Sequence, residues 1–573
     1  MKKPVVQFKN YSFQYKAQQK PTLVNINLTI YEGEKVLILG ASGSGKSTLV
    51  NCINGLIPFS YTGSVTGSCE INGVDTGGLS IFELSRDVGT VLQDSDAQFV
   101  GLSAGEDIAF AMENNNIPRQ EMIPKVLSRS KIVEMNEFLD ALPFNLSGGQ
   151  KQKVALAGVI EEKMNILIFD EPLASLDPET GTVAIDLIDK IHKEGGRTTI
   201  IIEHRLEDVL FRPVDRIILM DQGSIVADTS PSELLKSNLL KDYGIREPLY
   251  ITALRYAGCD LSGIGYLEDI SKIELSETDK QKLLSFFEKK IEKQERRFGE
   301  TIIDVQEVSY SYGQTTNSED VLKGISFSVR KGERIAVIGK NGAGKSTMAR
   351  LISGIGRPNK GAIYIDGQDY LSLTIKEIGE RIGYVMQNPN QMIIKDIIKD
   401  EVELALNLRK LPEDRVEELS SAAMRTCELY RFRNWPVDSV SYGQKKRITV
   451  AAIIALEPEV IILDEPTAGQ DYRHYMDIIN FINKLNSEYG KTIIFITHDM
   501  HLAIENTDRA VVFSDGEIIA DDNVFSVLSN DEIIDKANLK QTSLYTLANI
   551  LGLSPEYVIE QYINYEGMVR TGE

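Results

Sequence analysis

KVLILGASGSGKST, residues 35–48, is the stretch on which the reading of this chain turns. Its first six residues form a short apolar run closed by glycine, the pattern of a strand buried on both faces of a mainly parallel sheet. The remainder fits G-x-x-x-x-G-K-[S/T], a motif that carries meaning in this strand-to-helix setting. Its glycines let successive backbone N–H groups turn toward phosphate oxygens, and the helix that follows adds the positive end of its dipole. The predicted phosphate cradle comprises Gly40, Ala41, Ser42, Gly43, Ser44, Gly45, Lys46, Ser47 and Thr48. Lys46 is expected to reach the β- and γ-phosphates, and the Ser47 hydroxyl to ligate Mg²⁺.

The same reading applies 299 residues later, where RIAVIGKNGAGKST supplies Gly339, Lys340, Asn341, Gly342, Ala343, Gly344, Lys345, Ser346 and Thr347. One match could be a glycine-rich turn before an ordinary helix; two in a repeated context leave that reading negligible. NLSGGQKQK and SVSYGQKKR pair Ser147 with Ser441, NILIFDEP and EVIILDEP pair Asp170 with Asp464, and IIIEHRLED and IFITHDMHL pair His204 with His498. All three offsets are 294. The missing five residues fall before Gln93 and Gln387, where the first copy carries LIPFSYTGSVTGS. VVQFKNYSFQY and IIDVQEVSYSY alternate as half-buried strands. ILIFDE, TTIIIEH, VIILDE and TIIFITH read as buried strands alternating with helices, an α/β pattern. The predicted fold is therefore two phosphate-loop cassettes in tandem. Each has a mainly parallel sheet with helices.

Asp170 and Asp464 end apolar strands and are each followed by glutamate. A carboxylate there can hold a metal ion, usually through water. Glu171 and Glu465 would then orient and polarise the attacking water. An isolated Asp-Glu pair is commonly a solvated loop start; the repeated order downstream of a phosphate loop favours catalysis.

Composition narrows the function. The chain has 573 residues and a net charge of −21, a poor match for broad phosphate-backbone binding, so no nucleic-acid partner is expected. Cys52, Cys69, Cys259 and Cys427 form no C-x-x-C pair and read as free thiols in a reducing compartment. Lys2 and Lys3 resemble a signal n-region, but Gln7, Lys9 and Asn10 interrupt the apolar stretch. With no run of about 18 apolar residues, no bilayer span is expected, and a membrane role would come through a partner. Residues 266–300 carry balanced Lys and Glu and read as a solvated helical connector. Beyond about residue 535, Leu544, Leu547, Ile550 and Leu551 recur at helical spacing. The expected division is 1–240, a first nucleotide domain; 241–300, a helical tail and linker; 301–535, a second nucleotide domain; and 536–573, a helical extension.

These motifs resemble those of ATP-binding cassette ATPases over nearly the whole chain, with LSGGQ at 146–150 the distinguishing element. The resemblance implies an antiparallel β lobe and a helical signature lobe beside each mainly parallel sheet, ATP and Mg²⁺ as ligands, and two composite sites made by cassettes that pair within one chain. In such sites each signature faces the nucleotide held by the other cassette. Ser147, Gly148, Gly149 and Gln150 would serve the site of Lys345; Ser441, Tyr442, Gly443 and Gln444 would serve that of Lys46. It further implies that Gln93 and Gln387 join the metal site to a partner contact, alongside Ser47, Asp170, Ser346 and Asp464. Asp177 and Asp471 match the D-loop, and His204 and His498 the switch histidine at the γ-phosphate. Tyr15 and Tyr312 match the adenine-stacking aromatic, although a strand tyrosine in a core is nearly as good a reading. Tyr442 departs from the signature's usual glycine and implies unequal sites.

Three subfamilies compete. A ribosome-acting tandem cassette would carry a long basic arm, and a sugar-importer tandem often has an eroded phosphate loop. NGLIPFSYTGSVTGSCEINGVD, VLQDSDAQFVGLSAGEDIAFAMEN and REPLYITALRYAG look like the fused ATPases of energy-coupling-factor importers of vitamins and metal ions. That likeness implies integral membrane partners, a transmembrane coupling protein and a substrate-binding protein. It also implies peripheral attachment at the cytoplasmic face. Ser103 and Glu106 form a plausible capping box. The acidic pair Glu106–Asp107, repeated as Asp400–Glu401, is expected either to receive a basic coupling helix or simply to begin a solvated helix.

Overall fold

The computed structural model describes residues 2–92, 98–160, 164–174, 176–289, 296–312, 320–468 and 470–571. It divides into two compact units, Met1–Leu283 with Asp471–Arg473, and Leu284–Gln470 with His474–Glu573.

In the first unit, β-branched and aromatic residues alternating along Pro4–Tyr15 and Leu23–Tyr31 build an antiparallel sheet. Its order is Leu23–Tyr31, Pro4–Tyr15, Gly63–Ile71, Val74–Asp75. A six-stranded sheet runs Ser224–Thr229, Arg216–Asp221, Lys35–Gly40, Thr198–Ile202, Ile166–Asp170, Val88–Val91. All neighbours in it are parallel except the Ser224–Thr229 edge. Strand Lys35–Gly40 is buried along its whole length, as its unbroken apolar run requires. It delivers the phosphate loop at its C-terminal end, where open α/β sheets bind ligands. The second unit repeats both sheets, with Arg334–Gly339 between Thr492–Ile496 and Arg509–Ser514. In each unit one core joins the two sheets: Phe8, Phe13 and Ile26 with Ile38, Ile168 and Ile202, and Ile303, Phe327 and Val329 with Val337, Ile462 and Ile496.

An arginine also ties the sheets together in each unit. Arg216 pairs with Glu34 at 3.2 Å and donates to the Thr29 carbonyl at 3.0 Å and to Asp228 at 2.8 Å. Arg509 repeats this with Glu333 at 2.9 Å, Ser328 O at 2.6 Å and Asp521 at 2.6 Å.

Glu106 and Asp400 are exposed in the first turns of their helices, while the second member of each acidic pair departs from both expectations. Asp107 and Glu401 are buried. Asp107 accepts the N–H groups of Val100 and Gly101 at 2.8 and 2.9 Å; Glu401 accepts those of Ile394 and Lys395 at 2.9 and 2.7 Å. These carboxylates anchor the preceding loop and face no solvent. The capping box is half formed: Glu106 N–H donates to Ser103 Oγ at 3.3 Å, while the Glu106 carboxylate takes the N–H of Leu102.

The connector also differs from a solvated helix. Of residues 266–300, Glu277–Glu288 is helical, and Leu267, Leu283 and Phe287 are fully buried. The Tyr557 hydroxyl donates to the Phe287 carbonyl at 2.7 Å, and Phe286 meets Tyr565 edge-on at 4.9 Å. A high Lys and Glu count concealed Leu283, Phe286 and Phe287 on one face of this helix. The C-terminal segment forms helices Ser543–Leu551 and Pro555–Thr571, with Leu544 and Leu547 buried. Phe287→Ala should cost the second unit about 3–5 kcal/mol, read as a lowered midpoint in chemical denaturation.

Candidate active site

Each phosphate loop follows its buried strand and opens a helix, Lys46–Ile53 and Lys345–Ile352. Gly43 and Gly45 hold φ of 77° and 101°, and Gly342 and Gly344 hold 80° and 99°, a region that suits glycine. A Cβ on Gly40 would lie 2.4 Å from Met220 O, and one on Gly339 2.0 Å from Phe513 O, so neither position admits a side chain. Lys46 Nζ donates to Gly40 O at 2.7 Å and Ala41 O at 2.9 Å; Lys345 Nζ donates to Gly339 O and Lys340 O at 2.6 and 2.8 Å. Both lysines are buried. Burial holds the Lys46 ammonium below its ordinary value against the opposing field of Glu171, Asp471 and Asp170. Ser44 Oγ is buried beside Gly40, 2.6 Å from where a Cβ there would lie, and has no hydrogen-bond partner among the described residues.

Ser47 is exposed at the loop's mouth, while Thr48 is buried with its Oγ1 3.1 Å from the Tyr15 hydroxyl. Tyr312 stands likewise 2.9 Å from Thr347 Oγ1 with its ring largely exposed. Tyr15 meets Phe13 edge-on at 4.8 Å. Asp464 accepts from the Tyr384 hydroxyl at 3.0 Å, and the Ser346 hydroxyl beside it favours the charged carboxylate. Hydroxyl and carboxylate oxygens brought together in this way are hard donors of the kind Mg²⁺ prefers. Burial pushes Asp170 up to about 6, aided by Glu171, and burial likewise raises Asp464.

The two glutamates occupy left-handed backbone, with φ of 47° at Glu171 and 49° at Glu465, a strain that clusters at functional turns. The N–H of each is held by the neighbouring strand, at Ile202 O and Ile496 O, both 2.9 Å. From there the copies diverge. Glu465 Oε1 lies 2.7 Å from His498 Nδ1 and accepts the His498 N–H at 3.1 Å. Burial works to raise Glu465, but His498, Lys345 and Lys446 outweigh it and hold the carboxyl below its ordinary value. Glu171 Oε1 is 3.9 Å from His204 Nδ1, and burial raises it.

Three residues near these groups escaped the sequence reading. Lys446, buried, donates to the carbonyls of Glu465 and Ala468, and burial lowers its ammonium to about 8. Gln152 stands at its place in the first copy and donates to Pro172 O. Glu203, fully buried, precedes His204, where the second copy has Thr497. Tyr384 has Thr90 as its counterpart. Aligning the copies at the constant offset displays each difference; that Lys446 and Glu203 are buried depends on contacts distant in sequence.

Ser147 and Ser441 are N-caps of helices Gly148–Val159 and Tyr442–Ile454, each in a complete capping box with Gln150 or Gln444. A Cβ on Gly149 would sit 2.4 Å from Thr180 Cγ2, and one on Gly443 2.8 Å from the Gln470 amide. The backbone at Tyr442 is helical, as at Gly148. Asp177 is buried and caps helix Pro178–Gly195. Asp471 lies in the first unit, where its Oδ2 accepts the Ser42 N–H of the phosphate loop at 2.7 Å. Gln387 follows strand Ile382–Val385 and is exposed; Gln93 lies outside the described residues.

The ABC transporter family matches residues 23–174 and 322–468, and the family described as an ATP-binding cassette cobalt transporter matches 237–310. An ABC transporter ATP-binding protein of Clostridium perfringens is 53% identical over 99% of both chains. One from Enterococcus faecalis is 49% identical over the full length of both. Among solved structures, cbiO1 of Clostridium perfringens, part of the ABC transporter complex cbiONQ, is 32% identical. It covers 44% of this chain and 99% of its own, with a TM-score of 0.38.

Proposed function

Because the chain belongs to the ABC transporter ATP-binding family and so binds and hydrolyses ATP, we propose that it is the energy-coupling subunit of a membrane importer of energy-coupling-factor type, taking up a vitamin or a metal ion. The observation that carries this reading is the match of residues 237–310 to the ATP-binding cassette cobalt transporter family, which favours the metal ion.

In this proposal the backbone N–H groups of the two phosphate loops, with Lys46 and Lys345, bind the nucleotide phosphates. The glycine cradles suit that anion. Ser47 with Asp170 and Ser346 with Asp464, joined by Gln93 and Gln387, would hold Mg²⁺, which neutralises phosphate charge when bound. Glu171 and Glu465 orient the attacking water and accept its proton. His204 and His498 contact the γ-phosphate. The capped helix starts at Ser147 and Ser441 offer serine hydroxyls and N–H groups suited to a nucleotide phosphate, and Asp177 and Asp471 are the acids of the adjoining loops. Tyr15 and Tyr312 border the adenine end.

Among the described residues no helix is long and apolar enough to cross a membrane, so the proposed importer needs integral partners, with this subunit attached peripherally at the cytoplasmic face. Val100 and Ile394, at equivalent positions, are 63% and 76% exposed on loops anchored by Asp107 and Glu401, a suitable seat for an apolar coupling helix. The double variant Val100→Glu/Ile394→Glu should lose most co-purification with a hydrophobic membrane partner while retaining ATPase activity. Unchanged recovery from membranes would discard this surface; co-purification of the unaltered chain with ribosomes alone would discard the importer reading.

A further inference from the structure

Glu203 is a fully buried carboxylate that none of the motifs requires. A buried carboxylate is costly unless its oxygens are satisfied. Here the hydrogen-bond donors are backbone N–H groups: Glu203 Oε1 accepts the Leu173 N–H at 3.2 Å, and Oε2 accepts the N–H groups of His204 at 2.8 Å and Arg205 at 3.2 Å, with the His204 Nδ1 a further 3.6 Å from Oε2. Leu173 lies two residues beyond Glu171, on the loop that leaves strand Ile166–Asp170. His204 and Arg205 lie on the loop that leaves the adjacent strand, Thr198–Ile202. One carboxylate therefore staples the two loops, and the Arg205 guanidinium adds a second tie to the Leu173 carbonyl.

The second cassette solves the same problem with different atoms. Thr497 replaces Glu203 and its hydroxyl accepts the Asp499 N–H at 2.9 Å. The N–H of His498 goes instead to Glu465 Oε1. The same backbone donor, that of the histidine after the strand, is thus taken by an auxiliary acid in one cassette and by the water-orienting acid in the other. The 3.9 Å separation of His204 Nδ1 from Glu171 Oε1, against 2.7 Å for His498 and Glu465, accompanies that exchange.

We propose that Glu203 is a positioning residue of the first ATP site: by accepting the N–H groups of Leu173, His204 and Arg205 it sets the loop of Glu171 against the loop of His204, a task the second cassette leaves to Glu465. The inference rests on the reading of Glu171 as the water-orienting carboxylate. Because Glu203 acts through Glu171, its loss belongs in turnover and leaves ground-state nucleotide binding to the phosphate loop.

The test uses the full chain with Glu203→Thr, the residue the second cassette itself carries, and Glu203→Gln, which keeps the size and one acceptor oxygen. For Glu203→Thr, steady-state kcat should fall at least two-fold, with KM and the affinity for a fluorescent ATP analogue within two-fold of wild type. Glu203→Gln should recover part of the loss. Adding Glu203→Thr to Glu171→Gln should lower kcat no further, the non-additivity expected of two residues acting as one unit. If Glu203→Thr does not fold, Glu203→Gln carries the same comparison. The inference is overturned if kcat is unchanged, if affinity falls in parallel with kcat, or if the two losses multiply. Should Glu171→Gln itself leave kcat unchanged, the assignment of the water-orienting carboxylate fails first, which separates the two failures.

Discussion

Replacing Glu171 and Glu465 together with glutamine should leave ATP binding intact and lower turnover by about 10²- to 10⁴-fold, the usual weight of a general base. Both carboxylates sit at the end of a buried strand on a positive-φ residue whose N–H is pinned to the next strand. Glutamine preserves that backbone and the shape of the side chain and removes only the basic oxygen. The phosphate loops lie on other elements, Gly40–Ile53 and Gly339–Ile352, so the binding isotherm of a fluorescent ATP analogue should be nearly superimposable on the wild type. Phosphate release at the wild-type rate would remove both residues from the role assigned to them.

Removing both loop lysines, Lys46→Ala with Lys345→Ala, should act on the other half of the cycle. A hydrogen bond to a charged group contributes about 1.5–3 kcal/mol, so each site should bind ATP about 10- to 100-fold more weakly. The loop backbone should persist, since its turns are set by Gly43, Gly45, Gly342 and Gly344, although the lysines bridge its carbonyls in this structure. Titration with labelled ATP measures the effect; affinity equal to wild type would contradict the placement of phosphate in these loops.

The strands and loops that build both sites were legible because they are local. An apolar run ended by G-x-x-x-x-G-K-S needs no distant partner to be recognised, and repetition removed the ambiguity. Illegible were the residues whose meaning is set by what surrounds them. Asp107 and Glu401 read as exposed acids because helix starts favour acids there; the side chains turn back to loop N–H groups six and seven residues upstream. Arg216 and Arg509 join two sheets that are 182 residues apart at Glu34–Arg216, beyond any periodicity. The connector's Phe287 was hidden by composition, since an average over charged residues says nothing about which face a helix buries. Lys446 and Glu203 were visible only as differences between copies, and their burial required the folded chain.

The anchored loops at Val100 and Ile394 have a mechanical consequence. Asp107 grips its loop from the first turn of helix Ala104–Asn114, and a Cβ on Gly158, in helix Gly148–Val159, would stand only 3.3 Å from the Asp107 carbonyl. The apolar tip is thus tied to one helix, and that helix lies in close contact with a second whose first residue follows Ser147. A displacement of the tip would have to pass through two closely packed helices before it reached the helix end at Ser147.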